Sequence, residues 1–186
     1  MSRFLAVVAL CAIAYWMLFN DASVAVEGED GFAYPGYAIH PQKSYAMSAR
    51  VLARKNYSSG REAELSPVDL ALGWGPMSAV EALERVEISQ RGRFYYWKVE
   101  SFAAAGMSRK EIEHNSANVH VIPASEWVRD QLAGVREGDL VELRGQLVNV
   151  RADDGWRWRS SLTFNDTGKG ACELLWLEDI EVLDAA

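Results

Sequence analysis

GDLVELRGQLVNV, residues 138–150, reads as one long β-strand, and what flanks it decides what kind of sheet that strand joins. Its Gly145 marks a bulge or a bend in the run. Downstream, Ala152-Asp153-Asp154-Gly155 has the chemistry of a hairpin turn, and WRWRSSLT (156–163) returns as a partner strand. NDTGKG (165–170) is a second turn, and ACELLWLEDIEVL (171–183) is a closing strand. Three consecutive strands therefore end the chain.

Upstream the elements are shorter. YAMSARVLA (45–53) places Tyr45, Met47, Ala49, Val51 and Ala53 at period two, as a half-buried strand does. In LSPVDLALGWGPM (65–77), Ser66 stands ready to cap and Pro67 fits the first helical position. Asp69 occupies the place of a capping-box acid and Gly73 stops the turn, so a short helix is predicted. Ser78 and Glu81 open a second helix over AVEALERV (79–86). RFYYWKVE (93–100) is strand-like, with Tyr95, Trp97 and Val99 on one face. Ser108 and Glu111 form a capping box over a brief helix at 109–114, and NVHVIP (118–123) is a short strand. Ser125 caps EWVRDQLA (126–133), which Gly134 ends.

The predicted class is mainly β (α+β) with short helices. A helix between the third and fourth strands of a small closed sheet is the OB arrangement, and the 138–150 strand resembles the bent, glycine-containing strands of such barrels. An OB-like β-barrel is therefore expected over 45–186. The pairing of SPVDLALGWGPM (66–77) with DGWRWRSSLT (154–163) also resembles a group of uncharacterised bacterial single-pass, membrane-anchored proteins. That resemblance implies no activity.

Residues 1–20 have a different character. FLAVVALCAIAYWMLF (4–19) is an unbroken apolar run of sixteen residues. As a helix it reaches about 24 Å, slightly short of a ~30 Å hydrocarbon core. Tyr15 and Trp16 suit an aromatic belt, whereas Ser23-Val24-Ala25 resembles a signal cleavage site, so both a transmembrane anchor and a signal segment stand. Arg3 precedes the run and Asp21, Glu27, Glu29 and Asp30 follow it, which directs the rest of the chain outward. The expected location is the inner (cytoplasmic) membrane, single-pass, with the C-terminal domain facing the periplasm or exterior. Residues 21–44 read as a tether.

Composition narrows the partners. The chain has 186 residues and a formal charge of −7, which repels polyanions on average and disfavours nucleic acid. Cys11 and Cys172 are the only cysteines, and Cys11 lies in the apolar run, so neither a disulfide framework nor a cysteine-pair zinc site is available. Trp74, Trp97, Trp127, Trp156, Trp158 and Trp176 fall in the globular part, where core packing is the ordinary role of large aromatics.

Four motifs could carry chemistry. His114 and His120, near Glu111 and Glu113, are six apart, a spacing that shares no helix face and spans about 20 Å in a strand. Ser160 or Ser161 with a histidine and Asp69 or Glu173 could form a hydrolytic triad, but no G-x-S-x-G elbow is present. Asp166-Thr167-Gly168 copies an aspartic-protease tripeptide without a second copy and reads as a turn. In RADDGWRWRSS, alternation puts Trp156 and Trp158 on one face and Arg157 and Arg159 on the other.

The expected function is a non-enzymatic, membrane-tethered extracytoplasmic binding or assembly domain, attached through residues 4–19 and holding a protein partner. No catalytic residue, metal or cofactor is assigned. The candidate binding residues are Trp74, His114, His120, Trp156, Arg157 and Arg159. The alternatives are a small hydrolase or metalloenzyme using His114 or His120, and a glycan or oligonucleotide shelf at Trp156–Arg159.

Overall fold

The computed structural model describes residues 31–163 and 172–184. In chain order its first elements are β1 (Phe32–Tyr34), β2 (Tyr37–Asn56), α1 (Arg61–Leu65), β3 (Val68–Gly73), α2 (Val80–Arg85), β4 (Glu87–Arg91) and β5 (Phe94–Lys98). There follow α3 (Phe102–Ala105), α4 (Arg109–His114), β6 (Ser116–Pro123), α5 (Glu126–Gly134), β7 (Leu140–Ala152), β8 (Arg157–Arg159) and β9 (Glu173–Asp184). The chain is mainly β, of α+β class.

The main sheet closes on itself. β2 pairs antiparallel with β3, β3 with β6, and β7 with both β9 and β2, while β6 and β9 run parallel. The order β2-β3-β6-β9-β7 therefore returns to β2, with β1 and β8 added at its margins and β4-β5 forming a separate hairpin. The interior holds Tyr45, Ala49, Leu70, Val119, Leu143 and Leu175, and α5 seals it with Val128 and Leu132. Outside the barrel, Met77, Ala82 and Ile112 pack beneath the β4-β5 hairpin. A third cluster around Ile39, Ile122, Leu174 and Trp176 is covered by β1, Trp156 and Trp158.

Several expectations hold locally. The alternation of residues 45–51 continues until a bulge between Val51 and Ala53, after which Leu52 and Ala53 both face the second cluster. Gly145 sits where the β7–β9 register shifts, and a Cβ there would lie 2.0 Å from the Trp176 carbonyl oxygen. Only a residue without a side chain lets the strands approach this closely. The Ser108–Glu111 capping box forms, and Ser125 Oγ accepts from Val128 N at 3.2 Å.

Other expectations fail for identifiable reasons. Val68–Gly73 is a strand, not a helix, with every residue buried between the first two clusters. A short apolar run does not separate the two states by pattern, and the Ser66-Pro67-Asp69 signals serve other partners here. Ser66 Oγ donates to the Val68 carbonyl at 3.2 Å, and Asp69 turns to His120 and Arg93. Ser78 does not cap α2; its hydroxyl donates to Gly75 O at 2.8 Å. The sheet also takes in residues read as tether: β2 begins at Tyr37, and Pro41 is accommodated at a second register shift. No helix among the described residues is long and apolar enough to cross a membrane, and the anchor expected at residues 4–19 lies outside the described residues.

Candidate ligand-binding shelf

Two loops meet at one edge of the barrel. The first, 57–67, joins β2 to β3 and carries α1; the second follows β7 and carries β8. Asp154 fixes its own turn by accepting from Trp156 N at 3.1 Å, and it pairs with Arg61 of the first loop at 2.8 Å. The Arg61 hydrogen bond, followed by that from Trp156 N, holds the Asp154 carboxyl below its ordinary range. Arg61 also donates to Tyr37 Oη at 3.3 Å, and Tyr37 donates to Glu64 at 2.9 Å.

This clasp aligns a row of half-buried rings. Tyr34 lies 6.3 Å from Tyr37, Tyr37 6.0 Å from Trp156, Trp156 6.0 Å from Trp158, and Trp158 5.0 Å from His120. Guanidinium groups lie over the rings. Arg61 stands 5.0 Å from the Trp156 centroid and 5.6 Å from that of Tyr37; Arg93 stands 3.7 Å from Tyr57 and 5.7 Å from Trp158. Such contacts stabilise by about 0.5–2 kcal/mol each. Burial raises the Tyr37 and Tyr57 phenols, which stay neutral donors at ordinary pH.

Arg93 is placed by a buried polar network. It follows Gly92 at the β4-β5 turn with φ +70, a conformation that side chains rarely adopt. Its guanidinium reaches the fully buried Asp69 at 2.7 Å, and His120 Nδ1 meets the same carboxylate oxygen at 2.9 Å. Asn118 approaches the other oxygen at 3.4 Å and accepts from Gln90 at 2.7 Å. The hairpin tip is thereby fastened to β3 and β6, and Arg93 is aimed at Trp158.

The sequence candidates divide into two places. His120, Trp156, Arg157 and Arg159 belong to the shelf region, with Trp156 and Trp158 half-buried and Arg157 and Arg159 exposed on the opposite face, as alternation requires. Trp74 and His114 lie at the other end of β3 and β6, where Trp74 N donates to Asn115 O at 2.9 Å. Four strand positions, about 13 Å, separate that end from His120. No single pocket gathers all six.

Asp69 and His120 do meet, but the nominated hydroxyls are engaged elsewhere. Ser160 Oγ donates to Ser161 O at 2.6 Å and accepts from Leu174 N at 2.9 Å; Ser161 Oγ donates to Thr163 O at 2.8 Å. The His120 side chain is only 5 % exposed. Among the described residues no group of three histidine, cysteine or acidic side chains could hold a metal. Asp166-Thr167-Gly168 lies outside the described residues. Arg61, Arg93, Tyr37 and Tyr57 are not among the residues that the sequence singles out.

On the outer face of the β7-β8 ribbon, Arg151 stands directly opposite Arg157, with Arg159 two residues further. All three are exposed, and none has a described hydrogen-bond or ion-pair partner. Like charges opposite one another destabilise a strand pair, so local stability does not account for them.

No protein-family model matches the chain, and no curated protein matches it in sequence. Among solved structures it is similar to the mitochondrial single-stranded DNA binding protein Rim1 of S. cerevisiae, with 14% identity, a TM-score of 0.29, and coverage of 77% of this chain and 96% of that one. A likeness of that size carries no argument about this chain's ligand. Two expectations are nevertheless corrected. A membrane partner and an inner-membrane, periplasm-facing location have no spanning helix behind them among the described residues. Nucleic acid as a disfavoured partner, with a protein partner in its place, is set aside. The described surface carries stacked aromatics bordered by the guanidinium groups of Arg61 and Arg93.

Proposed function

We propose that the protein is a non-enzymatic binding domain of OB type that takes a single-stranded oligonucleotide on the shelf formed by Tyr37, Arg61, Arg93, Trp156 and Trp158. The strand order, the parallel β6–β9 pair and the helix between β6 and β7 support the OB reading. In that architecture the loop between the first two barrel strands and the loop between the last two carry oligonucleotide or oligosaccharide ligands. Here those loops are the two joined by Arg61 and Asp154. The observation that carries the reading is the row of rings from Tyr34 to Trp158, whose Trp156 and bordering Arg61 come from those two loops. Base stacking on aromatics with arginine alongside is the sequence-tolerant chemistry of single-strand binding. The guanidinium groups of Arg61 and Arg93 over those rings favour a phosphate-bearing polymer over a neutral glycan.

Titration of tryptophan fluorescence with oligothymidylate tests the proposal. Binding is expected to weaken with salt, at a slope of about 0.7 per phosphate neutralised. Trp156→Ala should weaken it about 5–150-fold, while Arg61→Ala should lower the slope by about 0.7. Quenching of the same size with oligothymidylate and with a neutral oligosaccharide, unaffected by Trp156→Ala, would overturn the assignment.

A further inference from the structure

A second concavity is lined in part by Tyr57. Its volume is about 210 Å³, and it opens between the end of β2, the 57–67 loop and α5. Tyr57, Val68 and Leu132 form apolar walls, while Arg54 and Arg129 bring two guanidinium groups to it. The placement follows from the chain: Arg54 is opposite Leu70 in the β2–β3 register, and Arg129 and Leu132 are three apart on one face of α5.

The chemistry of these two arginines is incomplete. Arg54 Nε is closed off from solvent and donates to no acceptor among the described residues. Burial lowers the Arg54 guanidinium from its ordinary value, and no carboxylate among the described residues offsets it. Arg129 Nε lies 3.3 Å from Glu126, an exposed carboxylate on the rim, but without the geometry of a hydrogen bond. A guanidinium partly withdrawn from water with an unmade bond is costly, and a leucine would fill the same space without that cost. Two guanidinium groups over an apolar wall offer an anion charged donors beside a surface for its apolar part. The cavity is smaller than the usual drug-sized site, which limits the ligand to a charged head with a small body.

We infer that the cleft between β2 and α5 binds a small oxyanion, a phosphate monoester or a carboxylate, through Arg54 and Arg129, with its apolar portion against Tyr57 and Leu132. The site is separate from the oligonucleotide shelf and does not depend on it.

Arginine Nε–Hε NMR of the full chain, titrated at constant ionic strength with inorganic phosphate in one arm and acetate in the other, tests the inference. Saturable movement of the Arg54 signal is expected, and the stronger arm identifies the head group. Arg54→Met should weaken the Arg129 response roughly tenfold or more. The same variant should raise the thermal midpoint in chloride, because it deletes the unmade bond. If Arg54→Met fails to fold, Arg129→Gln supports the inference by weakening the Arg54 response and overturns it by leaving that response unchanged. A wild-type Arg54 signal that neither anion moves up to about 20 mM would overturn the inference. So would an Arg129 response identical in Arg54→Met and wild type.

Discussion

Replacing Asp69 with alanine asks whether the β4-β5 hairpin is held to the barrel by charge. The carboxylate is fully buried, accepts from Arg93 at 2.7 Å and lies 2.9 Å from His120 Nδ1. Removing one partner of a buried pair leaves the others uncompensated, a loss of about 3–5 kcal/mol. Arg93 is 18 % exposed and can recover some hydration, so the expected loss lies near the lower end, about 3 kcal/mol. For a chain of this size that corresponds to a drop of about 6–12 °C in the thermal midpoint. Urea unfolding followed by tryptophan fluorescence should show a lower midpoint with an unchanged slope. Asp69→Asn keeps one acceptor and should cost less. A double-mutant cycle with Arg93→Met should return a coupling of about 0.5–3 kcal/mol. Because Arg93 stands over Trp158, Asp69→Ala should also weaken oligothymidylate binding. A loss below about 1 kcal/mol, or an absent coupling, would show that the hairpin is held by its apolar face alone.

Two further outcomes follow from the geometry. Gly145→Ala should cost at least about 1–3 kcal/mol in denaturant unfolding, since the clash is with the Trp176 backbone oxygen and no side-chain rotation relieves it. The Asp154 clasp should be sensitive to acid. Its carboxyl is held below the ordinary value of 3.8, so its contribution is present above that value and is lost as pH falls through the lower folded-state value. An acid-induced change in tryptophan emission that is absent in Asp154→Asn would verify this; identical titrations of the two chains would contradict it.

The long strands were readable because their determinants are local. Alternation in 45–51, the bulge at Gly145 and the caps at Ser108 and Ser125 each depend on residues within a few positions of one another. Val68–Gly73 was misread because its signals were genuine but non-local: Asp69 occupies a capping position in sequence and a network position in space. The shelf was half-legible. Trp156, Trp158 and their alternation with Arg157 and Arg159 are visible in the sequence, but the arginines that border the rings, Arg61 and Arg93, lie 95 and 63 residues before Trp156 in the chain. Only the closure of β2 on β7 brings them together.

Net charge misled for a related reason, because it averages over distances that screening does not. At one end of the β7–β9 pair Glu142 stands opposite Glu181 and Arg144 faces Asp179. Arg151 and its partner Arg157 stand at the other end of β7. Nine residues of strand separate Glu142 from Arg151, about 30 Å. At 0.1 M ionic strength that is about three Debye lengths, so an anion at the ribbon responds to the local arginines more than to the formal −7 of the whole chain. What a ligand meets is the charge within about one Debye length of its docking face. A sequence fixes that charge only through the fold that distributes it.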